Sequence, residues 1–217
     1  MNSSGDFFHG FADAFDTIYD GKRSRFMQWV DRKFRSDMFR RFDKSFEYLG
    51  DLTGKTVLDV GCGSGPYIVE ALKRGAKKVI GVDPAPRMLE LASGRLSAAS
   101  MRERAELVTG FFPEAAAKIG QPANVAIVMG VMDYVDDPAA FLKGLRNAVT
   151  EAAVLSFPSR HWFRTPARKV RYRLRNCPLY FYDDKRIREL MTAAGFAHVD
   201  ITKLPGAGMD YVAKGSR

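Results

Sequence analysis

The sequence predicts an α/β fold: a doubly wound, mostly parallel seven-stranded sheet with a C-terminal antiparallel hairpin and a helical N-terminal lid. Three observations carry this. Strand-like and helix-like stretches alternate five times through the middle of the chain. The first strand runs into a glycine-rich turn that opens a helix. The last two strands are joined across Pro205-Gly206 with no helix between them. Alternation demands crossover connections, and these put helices on both faces of a parallel sheet.

Residues 1–20 show no clear period. From Arg25 to Leu49, Phe26, Val30, Phe34, Met38, Phe42, Phe46 and Leu49 form an apolar stripe at helical spacing, and Gly50 ends it. The period then changes. Thr56–Val60 reads as a buried strand, and a helix covers about residues 64–74. Lys78–Val82 is a second strand, with a helix over about 86–96. Glu106–Val108 and Val125–Val128 are the third and fourth strands, and a helix spans Pro138–Ala148. Ala152–Phe157 is the fifth strand. Lys185–Ala194 is a helix stopped by Gly195, and strands near 197–202 and 209–213 close the chain. The domain organisation expected is a lid over residues 1–50 and a main domain over 51–217, with a basic insertion at 159–182.

The 217 residues suit one domain with a lid, and 46% hydrophobic with 27% charged residues is a globular balance. No apolar run reaches the ~18–20 residues that span a bilayer. The first residues lack the basic-then-apolar pattern of a secretory signal. Two cysteines, Cys62 and Cys177, exclude a disulfide scaffold or a multi-cysteine zinc site and fit a reducing cytoplasm. The histidines, His9, His161 and His198, are scattered, so no metal site is expected. The net charge is +9, and it is unevenly placed. Ala152–Tyr182 has no acid but seven Lys/Arg: Arg160, Arg164, Arg168, Lys169, Arg171, Arg173 and Arg175. Like-charge blocks of this kind usually face a partner. A second basic stretch, Lys22–Lys44, has nine Lys/Arg interspersed with Asp31, Asp37 and Asp43, and reads equally as a solvated face.

The strongest local signal is Val57-Leu58-Asp59-Val60-Gly61-Cys62-Gly63-Ser64-Gly65. Glycines let a backbone turn sharply and approach a ligand closely. The spacing is Gly-x-Gly-x-Gly, not the Gly-x-Gly-x-x-Gly of dinucleotide sites. Asp59, two residues ahead of Gly61, would repel a pyrophosphate but suits an ammonium group. Asp83, at the end of the second strand, stands where an acid accepts from both ribose hydroxyls. A ribose, an amine and no phosphate together describe S-adenosylmethionine. Taken singly, Asp59 also reads as a loop acid and Asp83 as a turn residue before Pro84. Cys62 reads as a small residue where glycines crowd the chain, with a thiol activated at a helix N-terminus as the alternative.

On these residues the chain resembles the class I S-adenosylmethionine-dependent methyltransferases, over roughly Leu52–Phe157, and the resemblance implies a Rossmann-like sheet. It also implies that Asp59, Gly61, Cys62, Gly63 and Gly65 wrap the methionine part of the cofactor, that Asp83 and Pro84 meet the ribose and that Met88 packs on the adenine. Met129 and Gly130, after the fourth strand, would line the sulfonium side. One departure stands out. Many family members carry an acid for the adenine amino group after the third strand; here Gly110-Phe111-Phe112 stands there. Phe111 or Phe112 is then expected to stack on the base. The layout is similar to small-molecule O-methyltransferases of quinone and tetrapyrrole pathways, the magnesium-protoporphyrin methyltransferases among them.

Methyl transfer is a displacement that alignment alone accelerates greatly, and a base helps only where the acceptor holds a proton tightly. The candidate catalytic residues are Tyr134, beyond strand four, and His161, beyond strand five. Tyr19 in the N-terminal arm is a candidate for closing over the cofactor. Arg160, Trp162, Tyr180 and Tyr182 are the candidate substrate-binding residues; the aromatic ones read equally as lid core. Asp133, Asp136 and Asp137 read as caps for the helix at Pro138. The expected function is methyl transfer to a small anionic or amphipathic molecule, oxygen favoured. RNA is the alternative acceptor, although the Asn/Asp-Pro-Pro-aromatic and Pro-Cys signatures of nucleic-acid enzymes are missing after strand four. A non-catalytic cofactor-binding subunit is the third reading. Basic residues interleaved with aromatics also suit peripheral contact with an anionic membrane.

Overall fold

The computed structural model describes residues 39–159, 180–205 and 210–217. The first helix, α1, is described over 39–49. The rest of the chain runs β1 (Thr56–Val60), α2 (Pro66–Lys73), β2 (Lys78–Asp83), α3 (Pro86–Ala98), β3 (Ala105–Thr109), β4 (Ala123–Val128), α4 (Pro138–Asn147), β5 (Val149–Phe157), α5 (Asp184–Ala193), β6 (His198–Lys203) and β7 (Tyr211–Ser216). Short 3-10 turns flank β3 at Arg102–Arg104 and Glu114–Lys118.

The seven strands form one sheet in the order β3-β2-β1-β4-β5-β7-β6. β7 pairs antiparallel with β5 and β6, and the other neighbours are parallel. β1 has β2 on one side and β4 on the other, so the connections leave its carboxyl end in opposite directions. That switch point is where open α/β sheets hold ligands.

Side chains alternate across the sheet and divide the core in two. Leu58, Val60, Val82, Ala126 and Val128 pack under α4 and α5 with Phe141, Leu142, Ile187 and Met191. Val57, Val79, Val125 and Ile127 pack under α1, α2 and α3 with Phe46, Leu49, Ile68, Leu72, Leu89 and Leu96. Both faces are covered, which is why β1, β2 and β4 read as nearly unbroken apolar runs.

The last strand lies further along than its sequence pattern indicates. Lys214-Gly215-Ser216 looks like a polar tail, yet it pairs with Ala152–Val154 of β5 and with β6. Gly215 fits there because a Cβ would stand 2.6 Å from Phe196 Cγ and 2.7 Å from Met191 Cε. The missing side chain makes room for the α5 side of the core. His198 opens β6, at the amino ends of the parallel strands.

α1 is anchored by both packing and polar contacts. Phe42, Phe46 and Tyr67 form an aromatic cluster with ring centroids 4.8–5.9 Å apart. Arg40 Nη1 donates to Pro205 O at 2.6 Å, and Tyr48 shares a 2.6 Å hydrogen bond with Thr202. Arg41 pairs with Asp210 at 3.4 Å. The helix is thereby tied to the β6–β7 end of the sheet. No helix among the described residues is long and apolar enough to cross a membrane.

Phe46→Ala removes a fully buried ring from the joint between α1 and the sheet. It is expected to cost about 3–5 kcal/mol of unfolding free energy, measured by urea titration.

Candidate active site

The site is built at the carboxyl ends of β1, β2 and β4. After Val60 the chain turns through Gly61, Gly63 and Gly65, all at positive φ. Two of these have no room for a side chain. A Cβ on Gly61 would lie 2.4 Å from Val131 Cγ2, and one on Gly65 would lie 3.0 Å from Ala92 Cβ. Gly63 differs: nothing stands within 4 Å of its missing Cβ. The loop is therefore pressed against the β4 and α3 sides and open at its middle. The N–H groups of Gly61 and Cys62 both donate to Val82 O, which fastens the turn to β2.

Asp83 completes the fastening. Its Oδ2 accepts from Gly63 N and its Oδ1 from Ala85 N, each at 2.9 Å. The turn-residue reading holds, and the same carboxylate that closes the turn over Pro84 also grips the glycine loop. Burial raises the Asp83 pKa, against the pull of the two N–H donors. Each carboxylate oxygen keeps lone-pair capacity for a hydroxyl. Beyond it, Ala85 and Met88 are buried with Leu91 in a small apolar cluster apart from both main cores.

Asp59 lies behind the loop, 1% exposed, and its Oδ2 is buried with no hydrogen-bond partner. Desolvation, reinforced by the Asp83 charge, pushes its pKa up to about 8. A buried carboxylate without a donor is costly, so this oxygen suits a cationic or hydrogen-donating ligand group. Cys62 is 4% exposed, and burial, with Asp59 and Asp83 nearby, holds its thiol well above the ordinary range. Activation at the helix N-terminus is overturned: the sulfur faces inward, 3.0 Å from where a Gly81 Cβ would be.

After β4, Gly130 at φ 74° donates its N–H to the buried Ser156 Oγ at 2.8 Å, and nothing crowds its open side. Met129 lies on the α1 side, where its sulfur accepts from Ser45 Oγ at 3.3 Å. Tyr134 is half-buried in the following turn, with its N–H on Val131 O.

Other expectations need correcting. Phe112 is half-buried and packs edge-on against Phe141 at 5.2 Å at the border of the core, and Phe111 is 41% exposed. Tyr182 is buried against Phe157, its hydroxyl donating to Met132 O at 3.3 Å, which is the core position that the sequence left open for it. Of the three acids expected to cap α4, Asp137 accepts from Ala139 N and Ala140 N. Asp136 instead accepts from Tyr180 Oη at 2.9 Å, and Asp133 is buried, its carbonyl accepting from Tyr180 N. Tyr19, Arg160, His161 and Trp162 lie outside the described residues. Among the described residues no group of three or more His, Cys, Asp or Glu could hold a metal ion.

The structure adds residues that the sequence did not single out. Tyr67, just inside α2, is half-buried against Phe42 and Phe46, and desolvation pushes its phenol up to about 12; Arg41 and Ser45 of α1 lie close enough to oppose that rise, and Asp59 close enough to add to it. Arg41 and Ser45 are four residues apart, on one helix face beside the Phe42–Phe46 stripe. That spacing was the signal available.

The methyltransferase-domain family model matches residues 34–201. The chain belongs to this methyltransferase family. With its sheet order, it is a class I methyltransferase that takes S-adenosylmethionine as methyl donor. Over nearly its whole length, 99% of this chain and 98% of the other, the methyltransferase shares its fold with magnesium protoporphyrin IX methyltransferase from Synechocystis PCC 6803 with bound SAH, at TM-score 0.77 and 21% identity. An S-adenosylmethionine-dependent methyltransferase from Mesorhizobium loti covers 82% of this chain at TM-score 0.65 and 17% identity. By sequence, the tRNA U34 carboxymethyltransferase of Idiomarina loihiensis is 33% identical over 125 residues, 56% of this chain and 37% of that protein. The counterpart in Shewanella amazonensis is 45% identical over 60 residues, 18% of its length. The match thus spans well under half the length of these curated relatives.

The raised pKa of Asp59 fixes the sign of a stability effect in the donor-free methyltransferase. Folding favours the protonated acid, so its contribution is full below the unfolded value near 3.8 and is lost as pH rises through about 8. Asp59→Asn removes that loss. Its melting temperature relative to wild type is expected to climb from pH 4 to pH 8 and then level off, as read by calorimetric scans.

Proposed function

We propose that this methyltransferase transfers the methyl of S-adenosylmethionine to an oxygen of a small anionic or amphipathic molecule. In this reading Asp59 takes the donor's ammonium group at its unpartnered oxygen, and the open side of Gly63 lets the donor approach the loop backbone. Asp83, seated on Gly63 and Ala85, takes the ribose hydroxyls. Ala85, Met88 and Leu91 offer an apolar bed for adenine, with Phe111 exposed at the end of β3. The donor supplies an activated methyl. The protein's task is to hold the acceptor in line with it beyond Gly130, where alignment does most of the work.

One observation carries the acceptor reading. Tyr182 N donates to Pro158 O, Tyr180 N to Asp133 O, and Tyr180 Oη to Asp136. The described residues on either side of 160–179 are therefore fixed beside the β4–α4 loop, next to Gly130 and Tyr134. The intervening sequence is acid-free, with seven Lys/Arg between Arg160 and Arg175. Positive charge attached there favours an anionic acceptor. His161 and Tyr134 are the groups proposed to orient or deprotonate it, and Arg160, Trp162 and Tyr180 to contact it. Residues 1–50 act as a lid, with Tyr19 closing over the donor. The reaction is placed in the cytoplasm, with peripheral contact at an anionic membrane for an amphipathic acceptor.

A second reading, with RNA in place of the small molecule as acceptor, is favoured by the likeness to tRNA U34 carboxymethyltransferases and by the net charge. The two separate in one assay. Labelled donor is offered with hydrophobic carboxylic acids and phenols, and in parallel with bulk tRNA at 50 and 200 mM salt. Turnover on an acid or phenol, with tRNA unlabelled, is expected; label in tRNA that falls steeply with salt would establish the second reading. Asp83→Ala is expected to lower affinity for S-adenosylhomocysteine by roughly 10- to 100-fold, the scale of charged hydrogen bonds, as read by calorimetric titration.

A further inference from the structure

Tyr180 and Asp136 stand 44 residues apart in sequence and meet at the carboxyl edge of the sheet. Tyr180 N donates to Asp133 O at 3.1 Å, which pins the backbone at Tyr180 to the loop between Gly130 and α4. Tyr180 Oη donates to Asp136 Oδ1 at 2.9 Å. The phenol proton is thereby committed, and that oxygen has only lone pairs left to offer a ligand. The ring is half-buried against the α4–α5 side of the core, while Asp136 is exposed to water. Capping does not explain Asp136, because Asp137 caps α4. The bond to Asp136 is also the main cause that holds the Tyr180 phenol above its ordinary range. Such a phenol does not ionise by itself at neutral pH; it gives up its proton only while taking another. The charged and titratable groups around the pair are Asp133, Tyr134 and Asp137 of the same loop, with Tyr182 and Arg186 from the chain entering α5. No Lys or Arg lies between Ile119 and Leu142, so the loop brings no cation of its own.

We infer that Tyr180 and Asp136 are a proton relay for the methyl acceptor, and that the oxygen they serve is a hydroxyl rather than a carboxylate. This rests on the acceptor reading above and narrows it. A hydroxyl donates to the lone pairs of Tyr180 Oη. A carboxylate has no proton to donate; it meets lone pairs there, and the Asp136 charge repels it. As the acceptor oxygen attacks, the new C–O bond forms and the C–S bond of the sulfonium breaks, with its electron pair staying on sulfur. The acceptor's proton passes to Tyr180 Oη, the phenol proton passes to Asp136 Oδ1, and the exposed Asp136 releases it to water. The products are a methyl ether, a neutral thioether and one proton. Tyr180 is the catalytic residue in this step. Asp136 is a positioning residue that aims the Tyr180 hydroxyl and receives its proton. The acceptor's own negative charge then belongs on another part of the molecule, away from this pair.

The test gives the full chain S-adenosylmethionine and para-hydroxyphenylacetic acid or its longer-chain homologues, which carry a phenol and a carboxylate on one molecule. Chromatography separates methyl ether from methyl ester. Wild type is expected to make the ether. Asp136→Asn keeps an oxygen for the Tyr180 hydroxyl but takes no proton, and Tyr180→Phe removes the relay. Each is expected to lower kcat for the ether about 100-fold, the low end of what a positioned proton acceptor supplies. KM changes far less, and affinity for S-adenosylhomocysteine stays at the wild-type level, which also reports that the variants are folded. Asp136→Glu restores part of the lost kcat. Ester as the main wild-type product would overturn the inference. So would variants that keep the wild-type kcat. Loss of S-adenosylhomocysteine affinity in step with kcat would make the pair a structural clasp and overturn it too. A wild type that methylates neither oxygen of any acid in the series would instead overturn the acceptor reading itself.

Discussion

The carboxylate of Asp83 accepts from Gly63 N in the β1–α2 loop and from Ala85 N at the start of α3. The geometry of the carboxyl edge depends on that bridge. It fixes the glycine loop relative to β2 and orients the turn that carries the Ala85–Met88–Leu91 cluster. It also places a second acid in front of the buried Asp59. Two carboxylates so close cannot both ionise cheaply, and the one with N–H donors holds the charge better. Asp83 is solvated by the backbone. Asp59 has no such help and is left with an unpartnered oxygen.

The arrangement divides labour between the two faces of the sheet. In the proposed function, α2 and α3, with α1 across them, carry the donor-side groups. α4 and the chain around Tyr180–Tyr182 carry the groups beside Gly130. The Gly130 N–H on Ser156 joins β4 to β5, so the chain beside Gly130 is braced by the same strand from which the arginine-rich stretch departs. Site residues supported by paired strands and backbone hydrogen bonds hold the precision that methyl alignment requires.

What was legible in the sequence was local. Asp59 through Gly65 declare themselves because the turn demands positive φ at fixed spacing, and Asp83 because it ends a strand of unbroken apolar residues. The parallel sheet followed from alternation, and the antiparallel β7 from Pro205-Gly206. What was not legible depended on which way a side chain turns or on partners distant in the chain. Phe111 and Phe112 are adjacent and chemically identical, yet Phe112 packs at the border of the core and Phe111 does not. Tyr180 and Tyr182 look alike, but only Tyr182 finds a buried place on Phe157. Arg41 and Tyr67 meet across 26 positions by packing alone, and the polar β7 residues become strand only because β5 and β6 flank them.

The central claim is that Asp59 meets the donor's ammonium group. Asp83 on β2, and Tyr67 and Cys62 around the loop, are ionisable groups that feel its charge or lend it theirs. With its pKa near 8 in the donor-free protein, a donor cation must displace a proton at neutral pH. The decisive measurement is calorimetric titration with S-adenosylhomocysteine at pH 7 in buffers of different ionisation heat. The account predicts release of about one proton per ligand bound in wild type and almost none in Asp59→Asn. Binding without proton release in wild type, or the same release in both proteins, would contradict it.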